Sequence, residues 1–117
     1  MKEVIQGAQG VFDISLAEKD SAGILRPFDL TGHTATTPQV CWRAGTTKIE
    51  KLLTDPDVTI QGLETAGQIR AILDASETLT FPNGEIGDIE VVVDDGLGGI
   101  KKFQILESWR VIEKICD

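Results

Sequence analysis

The chain has 117 residues, a formal net charge of −8, 41% hydrophobic residues and 26% charged residues. This length suits a single domain over residues 1–117, and the apolar content is too high for a disordered chain. The acidic balance argues against a nucleic-acid or anionic-membrane partner, because both require clustered Lys and Arg. No apolar run approaches the roughly 20 residues that a membrane span needs.

The N-terminal residues 1–9 contain no hydrophobic segment of the kind that a secretory signal carries. We expect them to form a flexible segment ahead of the domain. Synthesis in a cytoplasm is then the default, which predicts reduced thiols at Cys41 and Cys116. These two residues lack the Cys-x-x-Cys spacing of a zinc site, so we expect ordinary, half-buried cysteines.

Apolar and polar residues alternate along most of the first half, which predicts short strands with one buried face. A strand over residues 12–16 is followed by a polar loop. Residues 24–30 form a short extended stretch that is edge-like or irregular, because Pro27 removes one backbone donor. The next two strands are predicted over 34–43 and 48–53, with a tight turn between them.

The second half continues this pattern, with predicted strands over residues 58–60 and 69–73 and one helical turn within 74–79. A strand at 89–93 and a return strand at 100–106 then form a hairpin. About eight short strands, with turn signals roughly every 8–12 residues, predict an all-β fold, an antiparallel sandwich or barrel.

Four aromatic residues fall on the apolar faces of these strands, and we assign them to the core: Phe12, Trp42, Phe103 and Trp109. Phe28 and Phe81 lie next to prolines and are the two aromatic residues that we expect to be exposed. Exposed aromatic rings are what a carbohydrate-binding surface requires, so any sugar platform would involve these two.

The net negative charge comes from residues 52–117, because residues 1–51 carry equal numbers of acidic and basic groups, six of each. Asp88 and Glu90 fall on the predicted solvent face of a strand, and Asp94 and Asp95 fall in the hairpin turn that follows, where Asp bonds nearby backbone N–H groups. Asp94 and Asp95 are the metal candidates, because calcium binds clustered carboxylates. The spacing of a calcium-binding loop is absent and the turn already accounts for both residues, so we predict no cofactor.

Catalytic chemistry has little support in the sequence. His33 is the only His, it follows a turn, and no Gly-x-Ser-x-Gly motif provides a nucleophile for it. The glycine-rich segment at 96–102 lacks the spacing of a phosphate-binding loop and precedes a strand instead of a helix. We therefore predict that the protein is not an enzyme.

Asp29, Leu30, Thr31 and Gly32 form a predicted turn. Asp29 can accept backbone hydrogen bonds there, and Gly32 permits a positive φ. Together with the order of strands around it, over about residues 8–115, this segment resembles the N-terminal domain of phage baseplate upper proteins. The resemblance implies an immunoglobulin-like antiparallel β-sandwich of about seven to eight strands.

The same resemblance implies a non-enzymatic part of a tailed-phage virion, made in the host cytoplasm, that docks onto other virion proteins of the tail or baseplate. Baseplate upper proteins continue into a long C-terminal region, whereas this sequence stops at Asp117, which favours a small accessory protein. Repeated virion parts often self-associate, so a homo-oligomer is also expected. Two alternatives remain, a capsid decoration protein and a carbohydrate- or receptor-binding module. The second would use the loops near Phe28, His33, Phe81 and Asp94/Asp95.

Overall fold

A computed structural model of the chain describes residues 2–31, 38–53, 55–94 and 99–113, without the side chains of residues 106 and 107. The strands are β1 (Lys2–Ile5), β2 (Gly10–Ser15), β3 (Ala17–Lys19), β4 (Leu25–Pro27), β5 (Gln39–Ala44), β6 (Thr47–Leu52), β7 (Val58–Ile60), β8 (Gln68–Leu73), β9 (Ile86–Asp94) and β10 (Ile100–Ile112). A 3₁₀ turn covers Glu64–Ala66 and a one-turn helix, α1, covers Ala75–Thr78. No helix in the described residues is long and apolar enough to cross a membrane.

The strands form two facing sheets and a small hairpin. The larger sheet has the order β1-β10-β9-β5-β6, the smaller has the order β2-β8-β7, and β3 pairs with β4 alone. In chain order, these sheets match the A′GFCC′ and BED sheets of an immunoglobulin-like sandwich, with β3 and β4 inserted after β2, the B-type strand. The predicted all-β sandwich is confirmed, with β1 and β3 among the strands that the alternation did not reveal.

The expectation that residues 1–9 form a flexible segment is wrong for residues 2–5, which form strand β1. Strand β1 lies parallel to the end of β10, with Lys2 opposite Trp109 and Ile5 opposite Ile112. Val4 is buried, and the backbone N–H of Gln6 donates to the carbonyl of Ile112 at 3.0 Å. A four-residue strand with one buried apolar side chain is too short to produce a recognisable alternation, so the sequence did not predict it.

The core lies between the two sheets and is built around aromatic rings. Trp42 and Trp109 are fully buried on the larger sheet, and Phe12 on β2 meets both edge-on, with ring centroids 5.8 and 6.0 Å away. Phe103 is partly buried against the same core. The two indole N–H groups make no hydrogen bond with the described residues, so apolar contact is what holds these rings in place.

The two aromatic residues that we expected to be exposed are buried, and this expectation is corrected. Phe28 is 8% exposed and its ring centroid lies 5.0 Å from that of Phe103, while Phe81 is 1% exposed and lies 5.0 Å from Trp109. Their neighbouring prolines mark where the backbone leaves regular strand geometry and say nothing about exposure. Both rings instead cover the core from segments that connect the strands.

A bulge divides β10 into two parts. Ile105 is opposite Ile89 on β9 but Trp109 is opposite Gly87, so β10 uses two more residues than β9 between these pairs. An added Cβ at Gly87 would lie 2.1 Å from the indole of Trp109, which shows that the ring packs directly against the glycine backbone. The bulge thus brings Trp109 opposite Gly87 in the core, and β1 pairs with β10 only from Trp109 onward.

Candidate functional site

A buried lysine links the larger sheet to the smaller one. Lys51, on β6, is 5% exposed and its Nζ lies 2.6 Å from Asp57 Oδ2 and 2.5 Å from Glu77 Oε1. The same ammonium group donates to the carbonyl of Ile72, on β8, at 2.8 Å. All three donors of the ammonium group therefore have an acceptor, which is the condition for burying a charge without a large loss of stability.

The carboxylate of Glu77 is fixed in position by the start of α1. Asp74 accepts a hydrogen bond from the backbone N–H of Glu77 at 2.8 Å, and Glu77 Oε1 accepts one from the backbone N–H of Asp74 at 2.9 Å. This reciprocal pair is a capping box. The hydrogen bond from the Ser76 hydroxyl, followed by that from the Glu77 backbone, lowers the pKa of Asp74.

The electrostatic role of this cluster is structural. Burial lowers the pKa of Lys51, but the hydrogen bonds and charges of Asp57 and Glu77 outweigh it, so the pKa lies above its ordinary value. Asp57, Asp74 and Glu77 each place a carboxylate oxygen within 4.8 Å of the others, a spacing that could suit a metal ion. Lys51 already supplies a cation to two of these acids, so we interpret the cluster as an ionic bridge between the sheets.

This cluster was not predicted from the sequence, although one signal for it was available. Lys51 shares a face of its strand with Ile49 and Leu53, both of which pack against the core, so alternation placed its charge inward. Its two acidic partners lie in separate later segments, and only the folded chain brings them together.

The predicted turn around Asp29 follows β4 and is bonded to the 3₁₀ turn that precedes β8. Asp29 Oδ1 accepts a hydrogen bond from the backbone N–H of Thr31 at 2.8 Å. Leu30 is 2% exposed, and its backbone N–H donates to the carbonyl of Glu64 at 3.0 Å. Gly32 lies outside the described residues. The described part of this segment therefore anchors a connection between strands.

The other predicted site residues are only partly described. Asp94 ends β9 opposite Ile100 and is half-buried. It does not belong to the acidic group described above, the only one of that kind found among the described residues. Asp95, His33 and Cys116 lie outside the described residues.

Cys41 lies on the outer, charged face of the larger sheet. Burial is the main cause that raises the pKa of its thiol, and the negative charge of Glu50 adds to it. The ion pairs around it include Arg43 with Asp88 at 3.5 Å and Lys48 with Glu50 at 2.6 Å. Charges of both signs therefore balance on this face, and the thiol stays protonated near neutral pH.

The feature best suited to interaction is a strand edge. The segment Ile100–Ile105 of β10, which we call the open edge, pairs with β9 on one side only among the described residues, because β1 begins to pair at Trp109. On the same side of the sandwich, β2 pairs only with β8 within the described residues. Unpaired backbone groups on an edge strand can receive a strand from another chain.

No protein-family model and no curated protein matched this chain.

Proposed function

We propose that this protein is a non-enzymatic docking module of a tailed-phage virion, an accessory part of the tail or baseplate that acts by binding other virion proteins. The virion assignment depends on the segment Asp29–Gly32 and on its resemblance to the baseplate upper family. The docking assignment depends on the fold.

The observation that carries the docking proposal is the immunoglobulin-like strand order with one side left open. In that order β10 and β2 border the same side of the sandwich, and neither has a second strand partner over residues 100–105 or 10–15 among the described residues. Such edges bind partners through backbone hydrogen bonds, with no need for a catalytic group.

Two competing functions have less support. A carbohydrate-binding module would have used Phe28 and Phe81, which are both buried. An enzyme that works by covalent catalysis would need an activated nucleophile. Among the described residues, Cys41 is the one thiol, and its raised pKa opposes that role.

Mass spectrometry of gradient-purified virions tests the proposal, using the phage whose genome encodes this chain. We expect its peptides to remain in fixed proportion to tail proteins through successive purification steps. Isolated tails should retain the protein and isolated capsids should lack it. Absence from the virion would overturn the proposal, and presence in capsids alone would favour a decoration protein.

A further inference from the structure

A cleft opens between the two sheets beside the open edge. Its volume is about 220 Å³, and its walls include Phe12 and Ile14 from β2 and Ile105 and Trp109 from β10. Small-molecule sites are usually larger, about 300–1,000 Å³, whereas an apolar cavity of about 150 Å³ is enough to hold benzene. The cleft therefore has the size of one large apolar side chain.

Three lysines lie along this edge, Lys2, Lys101 and Lys102, although the net charge of the whole chain is −8. Lys102 is exposed and forms no ion pair with the described residues, and Lys101 pairs with Glu18. Lys2 lines the cleft, with its Nζ 5.1 Å from the centroid of the Phe12 ring. Asp13 also lines the cleft, but Arg70 already binds it at 2.9 Å.

We propose that the open edge and its cleft bind an extended segment of a partner protein. The segment adds a strand beside Ile100–Ile105, inserts one large apolar side chain into the cleft, and places acidic side chains near Lys102 and Lys2. Backbone hydrogen bonds supply affinity in this mode, and the side-chain pocket supplies specificity. The inference rests on the proposed docking function and names the kind of partner.

Charge favours such a segment over a second copy of this chain. Lysines on an edge strand oppose pairing with another copy of the same edge, because like charges then lie close together. An acidic segment would instead be attracted to this edge, because its carboxylates would lie close to the positive charge of Lys102. This local attraction would act although the protein as a whole is acidic.

Peptide binding to the ¹⁵N-labelled full chain tests the inference. The probe is an acetylated peptide of about nine residues in which Val and Glu alternate and Phe replaces the central Val. We expect amide shifts at residues 100–105 and at Phe12. A scrambled peptide of the same composition should bind at least about tenfold more weakly.

Two N-methylated peptides test for added-strand geometry. Alternate N–H groups of a strand point to opposite sides, so methylating one alternate set should remove binding and methylating the other should leave it almost unchanged. Lys102→Glu should weaken binding by at least about threefold. Lys48→Glu, at the opposite edge of the same sheet, is the matched control and should not.

Equal binding by the two methylated peptides, shifts confined to other surfaces, or no binding by any peptide at about 1 mM would each overturn the inference. Light scattering that shows a dimer, with its interface mapped to residues 100–105, would replace the partner segment with a second copy.

The proposed virion function and this inference can fail independently of each other. Peptide binding by a protein that is absent from virions removes only the virion function, and a virion protein that ignores the peptides removes only this inference.

Discussion

Gly67 is the position at which adding a single methyl group should most reduce the stability of the fold, and the surrounding backbone atoms explain why. Its φ is +66°, and a Cβ there would lie 2.6 Å from the carbonyl oxygen of Leu16 and 2.8 Å from that of Phe28. The surrounding backbone is tied together, because Leu16 donates to the Gly67 carbonyl at 2.8 Å and Phe28 donates to the Leu16 carbonyl at 2.9 Å. Neither obstructing oxygen belongs to a side chain that could rotate away.

The expected cost of Gly67→Ala has two parts. A left-handed backbone costs a non-glycine residue about 1–2 kcal/mol, and forcing extra volume into a packed site costs about 1–3 kcal/mol. Together they predict a loss of about 2–5 kcal/mol. This is a large fraction of the roughly 6–18 kcal/mol that stabilises a domain of this length.

Gly62 offers a matched control. Its φ is +67°, almost identical to that of Gly67, but a Cβ there would meet nothing within 4 Å. Gly62→Ala should therefore cost only the backbone part, about 1–2 kcal/mol. Any gain from restricting the unfolded chain applies to both variants and cancels in the comparison.

Urea denaturation followed by tryptophan fluorescence measures both variants, and the slopes should be unchanged so that the midpoints report stability. We expect Gly67→Ala to be less stable than Gly62→Ala by about 1–3 kcal/mol. A difference below about 0.5 kcal/mol would refute the steric argument and leave only backbone strain.

The remaining predictions concern the ionic bridge, the glycine under the indole ring and the thiol. Lys51→Met should lower the free energy of unfolding by about 2–4 kcal/mol, somewhat less than for a fully buried pair because its acidic partners are partly exposed. Lys48→Met, on the same strand but exposed, should leave the free energy of unfolding almost unchanged, and equal losses in the two variants would contradict the bridge. The raised pKa of Lys51 contributes stability that is fully present below about pH 10.4 and is lost as the pH rises through the folded pKa, so the gap between wild type and Lys51→Met in urea should close only at alkaline pH. Gly87→Ala should lower the free energy of unfolding by at least about 1–3 kcal/mol and alter the near-ultraviolet circular dichroism of the buried tryptophans. An unchanged spectrum would show that the Trp109 ring has room to move. In a Cys116→Ser background, Cys41 should react with a thiol reagent at pH 8 more slowly in the folded protein than in urea, and equal rates would contradict its raised pKa.

Local sequence pattern was sufficient for most strands, because a strand with one buried face repeats every two residues. Residues 12–16, 48–53, 69–73 and 89–93 each contribute to an observed strand. The pattern also placed Phe12, Trp42 and Trp109 on faces that proved to be buried. It failed where a segment is too short to repeat, as in β1, and where burial comes from a connecting segment, as for Phe28 and Phe81.

The interaction surface and the ionic bridge depend on residues that are distant in the chain. Alternation turns Lys51 inward, but the position of its acidic partner Glu77 depends on how α1 packs beside the sheets. In the same way, the residues of β10 predict a strand but not that its edge stays open beside β2. Periodicity reports which face of a strand is buried, because that is set by neighbouring residues along the chain. Which edges pair and which charges meet are set by contacts across the fold, and these carry no local signal.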